Sequence, residues 1–189
     1  MLYVISTISK IHPAIIEQTT LPFLFSGLPD VAPSPNDKSQ RAVYQRNLRC
    51  LSTICIQPAL FETLAIRLST KLDLLCSELV RLEQSTMDSE FRRHTEYNAA
   101  YSHAILVALD DALKEKAVSN DADIPKYVSH LVPRIFAFFA VVNRSSLHAF
   151  NDARLVAVAS SIISIIVRSL TERSGHSNSG LLCLIYISL

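Results

Sequence analysis

A short frame of proline, any residue, leucine or isoleucine, and phenylalanine occurs three times in the chain, at residues 22–25, 58–61 and 133–136. The starts of the frame are separated by 36 and 75 residues, about one and two units of a helical repeat. A helix pair of this size cannot bury its own apolar face, so neighbouring pairs stack. The frame therefore predicts stacked helix pairs, an architecture that usually offers surfaces to other proteins.

The composition favours a fold built from helices alone. Only three of the 189 residues are glycine, and no clear β-hairpin turn signals are present. Apolar residues make up 49% of the chain and charged residues 19%, which is enough apolar material for a continuous helical core. We therefore predict an all-α fold.

Hydrophobic periodicity and proline positions divide the chain into helical units. The predicted units cover approximately residues 2–28, 39–76, 96–142 and 152–172, followed by an atypical tail at 173–189. Between the units we expect a proline-rich linker at 29–38 and a long, partly helical connection at 78–95. Pro22 and Pro133 are expected to kink or restart their helices. Helix N-caps are predicted in the turn at 119–123 and at 151–152.

Charge and segment length argue against a nucleic acid or a membrane as partner. The formal net charge is +1, which gives no bulk attraction to nucleic acid or to an anionic bilayer. The longest uncharged helical run, residues 155–167, is shorter than the roughly 20 residues that span a bilayer. Because the helix at 153–171 is apolar almost all round, we expect it to be sandwiched between neighbours in a longer array, with nothing later in this chain to bury its second face.

No residue pattern predicts catalysis or metal binding. The six histidines have no partner at a ligand or acid–base spacing, and no nucleophile motif or phosphate-binding loop is present. The four cysteines contain no CxxC pair, so we expect buried reduced thiols and an intracellular compartment. We therefore predict that the chain is not an enzyme and carries no cofactor and no metal.

Basic side chains at helical spacing are the candidate contact surface. Arg41 and Arg49 lie two helical turns apart, whereas Arg67 and Lys71 lie one turn apart on the following helix. In a stack they could form a shallow basic ridge that meets an acidic partner, although a solvated outer face explains them too. The candidate contact residues are Arg41, Arg46, Arg49, Arg67 and Lys71.

Four stretches of the chain carry a resemblance to known proteins. They are LPFLFSGLPDVAP (21–33), QPALFETLAIRLSTKLDLLC (57–76), YSHAILVAL (101–109) and DIPKYVSHLVPRIF (123–136). In collinear order over about residues 10–172, they resemble the MMS-nineteen family of eukaryotic HEAT-repeat proteins, most closely its fungal members. The resemblance implies a HEAT-type α-solenoid, a right-handed superhelix of antiparallel helix pairs. It also implies that the chain is a fragment, an internal piece ahead of the C-terminal repeats.

The same resemblance implies a non-catalytic adaptor of the cytosolic iron–sulfur protein assembly targeting complex. It implies iron–sulfur assembly factors and DNA helicase or polymerase clients as partners, a role in repair, replication and transcription, and a location in nucleus and cytoplasm. An alternative is a generic, transport-factor-like HEAT scaffold without an iron–sulfur role. A third is a membrane-associated helical protein, suggested by the apolar runs at 155–167 and 181–189.

Overall fold

A computed structural model describes residues 2–34, 36–83, 89–119, 123–144 and 153–173, and every regular element in these residues is helical. The all-α prediction is confirmed. A π-helical turn at Ile16–Thr20 joins α2 to α3, and a 3-10 turn at Ile124–Tyr127 leads into α7. The helices are α1 (Leu2–Ile11), α2 (Pro13–Ile15), α3 (Leu21–Ser26), α4 (Lys38–Ile54), α5 (Pro58–Glu83), α6 (Ser89–Val118), α7 (Val128–Arg144) and α8 (Ala153–Arg173).

The helices pack in two layers. In the first layer α1 packs on α4, α4 on α6, and α6 on α8. The second layer contains α3, α5 and α7; α5 packs on α7 and also on α6 of the first layer. Alternate helices therefore stack on one another, which is the order expected of successive helix pairs. The right-handed superhelical course stays a prediction.

The three proline frames lie on the three helices of the second layer. Their third residues, Leu24, Leu60 and Ile135, are all buried, because one apolar stripe of each helix faces the core. The phenylalanine that follows is buried in α3 and α5, whereas Phe136 in α7 is only half-buried. The frame is thus a core pattern of second-layer helices, as its spacing predicts.

The three prolines occupy different positions in these helices. Pro58 is the first residue of α5, where no intrahelical N–H bond is lost. Pro22 follows the π-helical turn, in which the Leu21 N–H donates to the Ile16 carbonyl five residues earlier. The helix therefore restarts at the proline, as predicted, through a change in its hydrogen-bond register. Pro133 lies inside α7 on its exposed side.

The predicted, partly helical connection at 78–95 is helical at both ends, because the flanking helices extend into it. α5 continues to Glu83, and its buried stripe gains Leu79, which is fully buried one turn after Leu75. α6 begins at Ser89, and its early buried positions are polar, including Thr95 and Asn98. These polar residues interrupt the apolar period on which the sequence prediction depends. Residues 84–88 lie outside the described residues.

A buried asparagine ties the end of α3 to α4. The Asn47 side-chain amide donates to the Leu24 carbonyl at 3.1 Å and is almost fully buried. Gly27 lies against it, and a Cβ at that position would be 2.3 Å from the Asn47 amide nitrogen. A side chain at this position would collide with the Asn47 amide, so the site favours glycine. α4 itself begins after Asp37, whose carboxylate accepts from the Gln40 N–H at 2.9 Å as an N-cap.

Among the described residues, α8 buries one face. Leu155, Ala159, Ile162 and Ile166 are buried, and α8 packs mainly on α6, with further contacts to the 3-10 turn and α7. Val156 on another face is 53% exposed, in line with the expectation that the rest of the chain leaves a second face of this helix uncovered. By length and composition alone, Ala153–Thr171 could cross a membrane, a test that core helices of soluble proteins also pass. The predicted cap at 151–152 lies outside the described residues.

Candidate protein-binding surfaces

The predicted basic residues fall into two separate groups. Arg41, Arg46 and Arg49 lie exposed on α4 in the first layer. Arg67 and Lys71 lie on α5 in the second layer. Because the layers present different faces, the structure does not join the five residues into one ridge. Arg41 and Arg49 instead border one groove, and Arg67 and Lys71 border another; Arg46 lines neither.

The first groove lies between α4 and α6 and extends towards α8. It contains two cavities of about 440 and 350 Å3, which share Gln45 and His103 as lining residues. Arg41 and Arg49 line its α4 side, on the same helical row as Gln45. Alanines of α6 line the opposite side, and their small side chains leave the space between the helices open. We call this the α4–α6 groove.

The α4–α6 groove carries both signs of charge. Burial and the neighbouring Asp110 carboxylate raise the pKa of Asp111, whereas Lys114 and Arg49 oppose that shift. Glu96 and Arg154 line the cavity nearer α8. The acidic residues offset the arginines, so this groove is not the purely basic surface that the sequence predicts. A partner here would have to match an alternating pattern of charge.

The second groove lies between α3 and α5. Its cavity is about 470 Å3, and its lining includes the buried side chains of Phe25 and Leu28. Ile66 and Leu74 of α5 also line it, although they are 45% and 48% exposed. Arg67 completes the lining on the same helix. We call this the α3–α5 groove.

Lys71 holds the proline-rich linker and does not point to a partner. Its ammonium donates to the carbonyls of Leu28 and Pro29, both at 3.2 Å, and pairs with Asp30. The hydrogen bond from Lys71 and its charge lower the pKa of Asp30. Tyr101 of α6 donates to the same Pro29 carbonyl at 2.9 Å, so both layers fasten the linker.

Arg67 is placed differently from Lys71. Its guanidinium carbon lies 5.2 Å from the centre of the Phe25 ring, a cation–π contact. Among the described residues the guanidinium has no carboxylate partner. Because Arg67 is exposed, its hydrogen-bond donors can reach solvent or a bound partner.

A buried ionic network joins the end of α6 to the start of α5, and the sequence prediction missed it. The Lys116 ammonium is fully buried and contacts the Asp123 carboxylate at 2.8 Å and the Ile56 carbonyl at 2.9 Å. Tyr127 lies 3.0 Å from the same carboxylate and 3.2 Å from the Pro58 carbonyl. Asp123 therefore pairs with Lys116 and does not cap the helix that follows, in contrast to the predicted N-cap.

A signal for this network is present in the sequence. Lys116 continues the buried stripe of α6 formed by Ile105, Leu109 and Ala112, at spacings of four, three and four residues. A lysine on a buried stripe needs an anionic partner, because an unpaired buried ammonium is costly.

A serine, a histidine and an aspartate also meet between α5 and α7. The His130 ring nitrogens lie 2.9 Å from the Ser69 hydroxyl and 3.0 Å from the Arg134 guanidinium. Arginine has no acceptor, so the ring nitrogen facing it must accept, and the proton resides on the nitrogen facing Ser69. Burial, and then the Arg134 charge, lower the pKa of His130, whereas Asp73 opposes that shift.

This tautomer cannot activate Ser69 as a nucleophile. A base must accept the hydroxyl proton, but the His130 nitrogen that faces Ser69 already carries one, and Ser69 donates to the Ile66 carbonyl at 3.0 Å. Arg134 also donates to Asp73 at 3.1 Å, so the aspartate pairs with the arginine. The cluster ties the two second-layer helices together and lacks the geometry of a catalytic triad.

Two of the described cysteines, Cys55 and Cys76, have thiols with a raised pKa. Burial raises the pKa of Cys55 to about 12. Burial and the Asp73 charge raise the pKa of Cys76 to about 12 as well. Since metals bind the thiolate, these two side chains are poor ligands in this state. Within the described ranges, no three histidine, cysteine, aspartate or glutamate side chains come together as a metal site.

The family of the chain follows from a comparison with protein-family models. Residues 47–179 match MMS19_C, described as RNAPII transcription regulator C-terminal. The chain belongs to this family. The match covers well over half of the chain and extends past the boundary predicted at residue 172. No curated protein and no solved structure matches the chain.

Membership of the MMS19 family confirms the resemblance, whereas the fungal origin and the fragment status stay predictions. The matched model describes the C-terminal region of the family, which differs from the expected internal piece ahead of that region. The family is of the scaffold type and is associated with transcription and repair. Its members work through interaction with other proteins, so the two grooves are the candidate sites.

Proposed function

We propose that the chain is a non-catalytic adaptor segment of the cytosolic iron–sulfur protein assembly targeting complex. It serves proteins of DNA repair, replication and transcription, in the cytoplasm and the nucleus. The observation that carries the proposal is the match of residues 47–179 to the MMS19 family. The two-layer helical stack supports it, because such stacks present long surfaces to protein partners.

The mechanism is the joining of two partners on one scaffold. An adaptor that holds a client and an assembly factor together raises the effective concentration of each for the other. The two grooves lie in different layers, so one partner can occupy each of them. On the α4–α6 side the proposed contacts are Arg41 and Arg49, with Arg46 exposed on the same helix. On the α3–α5 side the proposed contact is Arg67, because the linker engages Lys71.

Affinity capture from a eukaryotic cell extract tests this function. The tagged 189-residue chain should retain iron–sulfur assembly proteins or DNA helicase clients, identified by mass spectrometry. A variant in which Arg41 and Arg49 are replaced by glutamate should lose one class of partner, whereas glutamate at Arg67 should reduce the other. Retention of unrelated proteins without any assembly factor would favour a generic HEAT-type scaffold instead. Fractionation should recover the chain in the nuclear and cytoplasmic extracts and not in salt-washed membranes.

A further inference from the structure

The α3–α5 groove combines exposed apolar walls with a buried apolar floor. Ile66 and Leu74 lie two helical turns apart on α5, and close to half of each side chain is in water. Phe25 and Leu28 beneath them are buried, at 7% and 4% exposure. Large aliphatic side chains exposed around a concave cavity are typical of interaction sites, because a partner there removes apolar surface from water.

In this groove Arg67 is available to bind a partner, whereas Lys71 is not. Lys71 is 16% exposed at its side chain and is engaged by the linker through Leu28, Pro29 and Asp30. Arg67 is exposed, stacks on Phe25, and has no carboxylate partner among the described residues. A planar guanidinium fixed against a ring is well placed to bind a carboxylate through two hydrogen bonds.

From these contacts we infer that the α3–α5 groove binds a partner-protein segment in which an aliphatic or aromatic side chain lies close to a carboxylate. The apolar side chain enters between Ile66 and Leu74, and the carboxylate pairs with Arg67. The inference rests on the proposed adaptor function and specifies the chemistry of one partner. A single available cation does not suit a nucleic acid, which needs a row of phosphate contacts.

Short synthetic peptides carrying one leucine and one glutamate, one to four residues apart in a serine background, test this inference. Their affinity for the purified 189-residue chain is measured by fluorescence anisotropy. At least one spacing should bind, and replacing its leucine by alanine or its glutamate by glutamine should weaken binding about fivefold or more. The Ile66 methyl resonance should shift on binding.

Variants of the chain locate the site. Ile66→Ser and Leu74→Ser should each weaken the best peptide about tenfold. Val118→Ser is the matched control, since Val118 is 84% exposed and lies at the end of α6, outside this groove. Arg67→Glu should abolish binding of the glutamate peptide and restore binding to a peptide with lysine at that position. Arg168→Glu, at an exposed arginine on α8 of the other layer, should change neither result.

Several results would overturn the inference. They are failure of every spacing to bind, equal binding of the glutamate and glutamine peptides, and equal weakening by Val118→Ser. Competition by single-stranded RNA or by anionic vesicles, with no loss in Arg67→Glu, would also overturn it. Binding of the lysine peptide by the Arg67→Glu variant is a gained interaction, which a misfolded variant could not show. The peptide assay contains no iron–sulfur protein, so its result is independent of the result of the extract experiment.

Discussion

Replacing Lys116 by methionine removes a cation from a site that water does not reach. Lys116 is 0% exposed and the side chain of Asp123 is 6% exposed, with 2.8 Å between ammonium and carboxylate. Methionine keeps the apolar stem beside Phe61, so the change isolates the ionic contacts. It leaves the carboxylate buried without its counter-charge and the Ile56 carbonyl without this donor.

We expect a large loss of folding free energy from this single substitution. Breaking a buried pair from one side costs about 3–5 kcal/mol, whereas removing both charges costs far less. The double variant with Asp123→Asn still offers Tyr127 an acceptor, and we expect it to lose about 1–2 kcal/mol, close to one unsatisfied carbonyl. The double-mutant cycle should therefore give a coupling energy of about 2 kcal/mol or more.

Urea unfolding followed by far-ultraviolet circular dichroism at neutral pH measures these free energies. The Glu78–Arg81 pair provides the control, since its arginine is 73% exposed and Arg81→Met should leave the free energy of unfolding almost unchanged. A loss below about 1 kcal/mol in Lys116→Met would refute the assignment of a buried pair. Failure of the double variant to recover stability would refute the coupling between the two residues.

Three further predictions concern the second layer. Leu79→Ala should destabilise the fold by about 3 kcal/mol in the same unfolding assay, whereas Val80→Ala should cost less than about 1 kcal/mol. Equal effects would contradict the extension of α5 to Glu83. Lys71→Met should cost about 1–2 kcal/mol and speed amide hydrogen exchange at residues 27–34, and unchanged exchange there would contradict the tether. Because the pKa of His130 is lowered in the folded state, its contribution to stability is complete above pH 6.5 and is lost as the pH falls through the folded-state pKa. His130→Asn should therefore flatten the decline of the urea midpoint below pH 6.5. A decline as steep as that of the unmodified chain would exclude His130 as its source.

The apolar periodicity of the sequence was enough to predict the helices that it shapes. Within the described residues, α4 (Lys38–Ile54) begins within one residue of the predicted unit at 39–76. The periodicity did not show that helix continues at both ends of the predicted connection at 78–95, where Thr95 takes a buried position near the start of α6. A polar residue at a buried position is invisible to a hydrophobic pattern.

In the candidate sites too, helical spacing shows which residues share a helix face and not which distant residues they contact. Helical spacing shows that Arg41 and Arg49 share one helix face, as do Arg67 and Lys71, and the structure places the two pairs on different grooves. It could not show that Lys71 is engaged by Pro29 and Asp30, about forty positions earlier in the chain. Nor could it show that Asp111 and Glu96 of α6 face the arginines of α4.

By itself, the sequence determined the all-α class, the second-layer position of the proline frames, and the family. These follow from residue type and spacing along one helix, which the local chain geometry fixes. The tertiary structure alone decided which cations are available to a partner and which residues hold the layers together. Ion pairs and grooves form between helices distant in sequence, so their existence depends on how the layers pack and not on any single stretch of the chain.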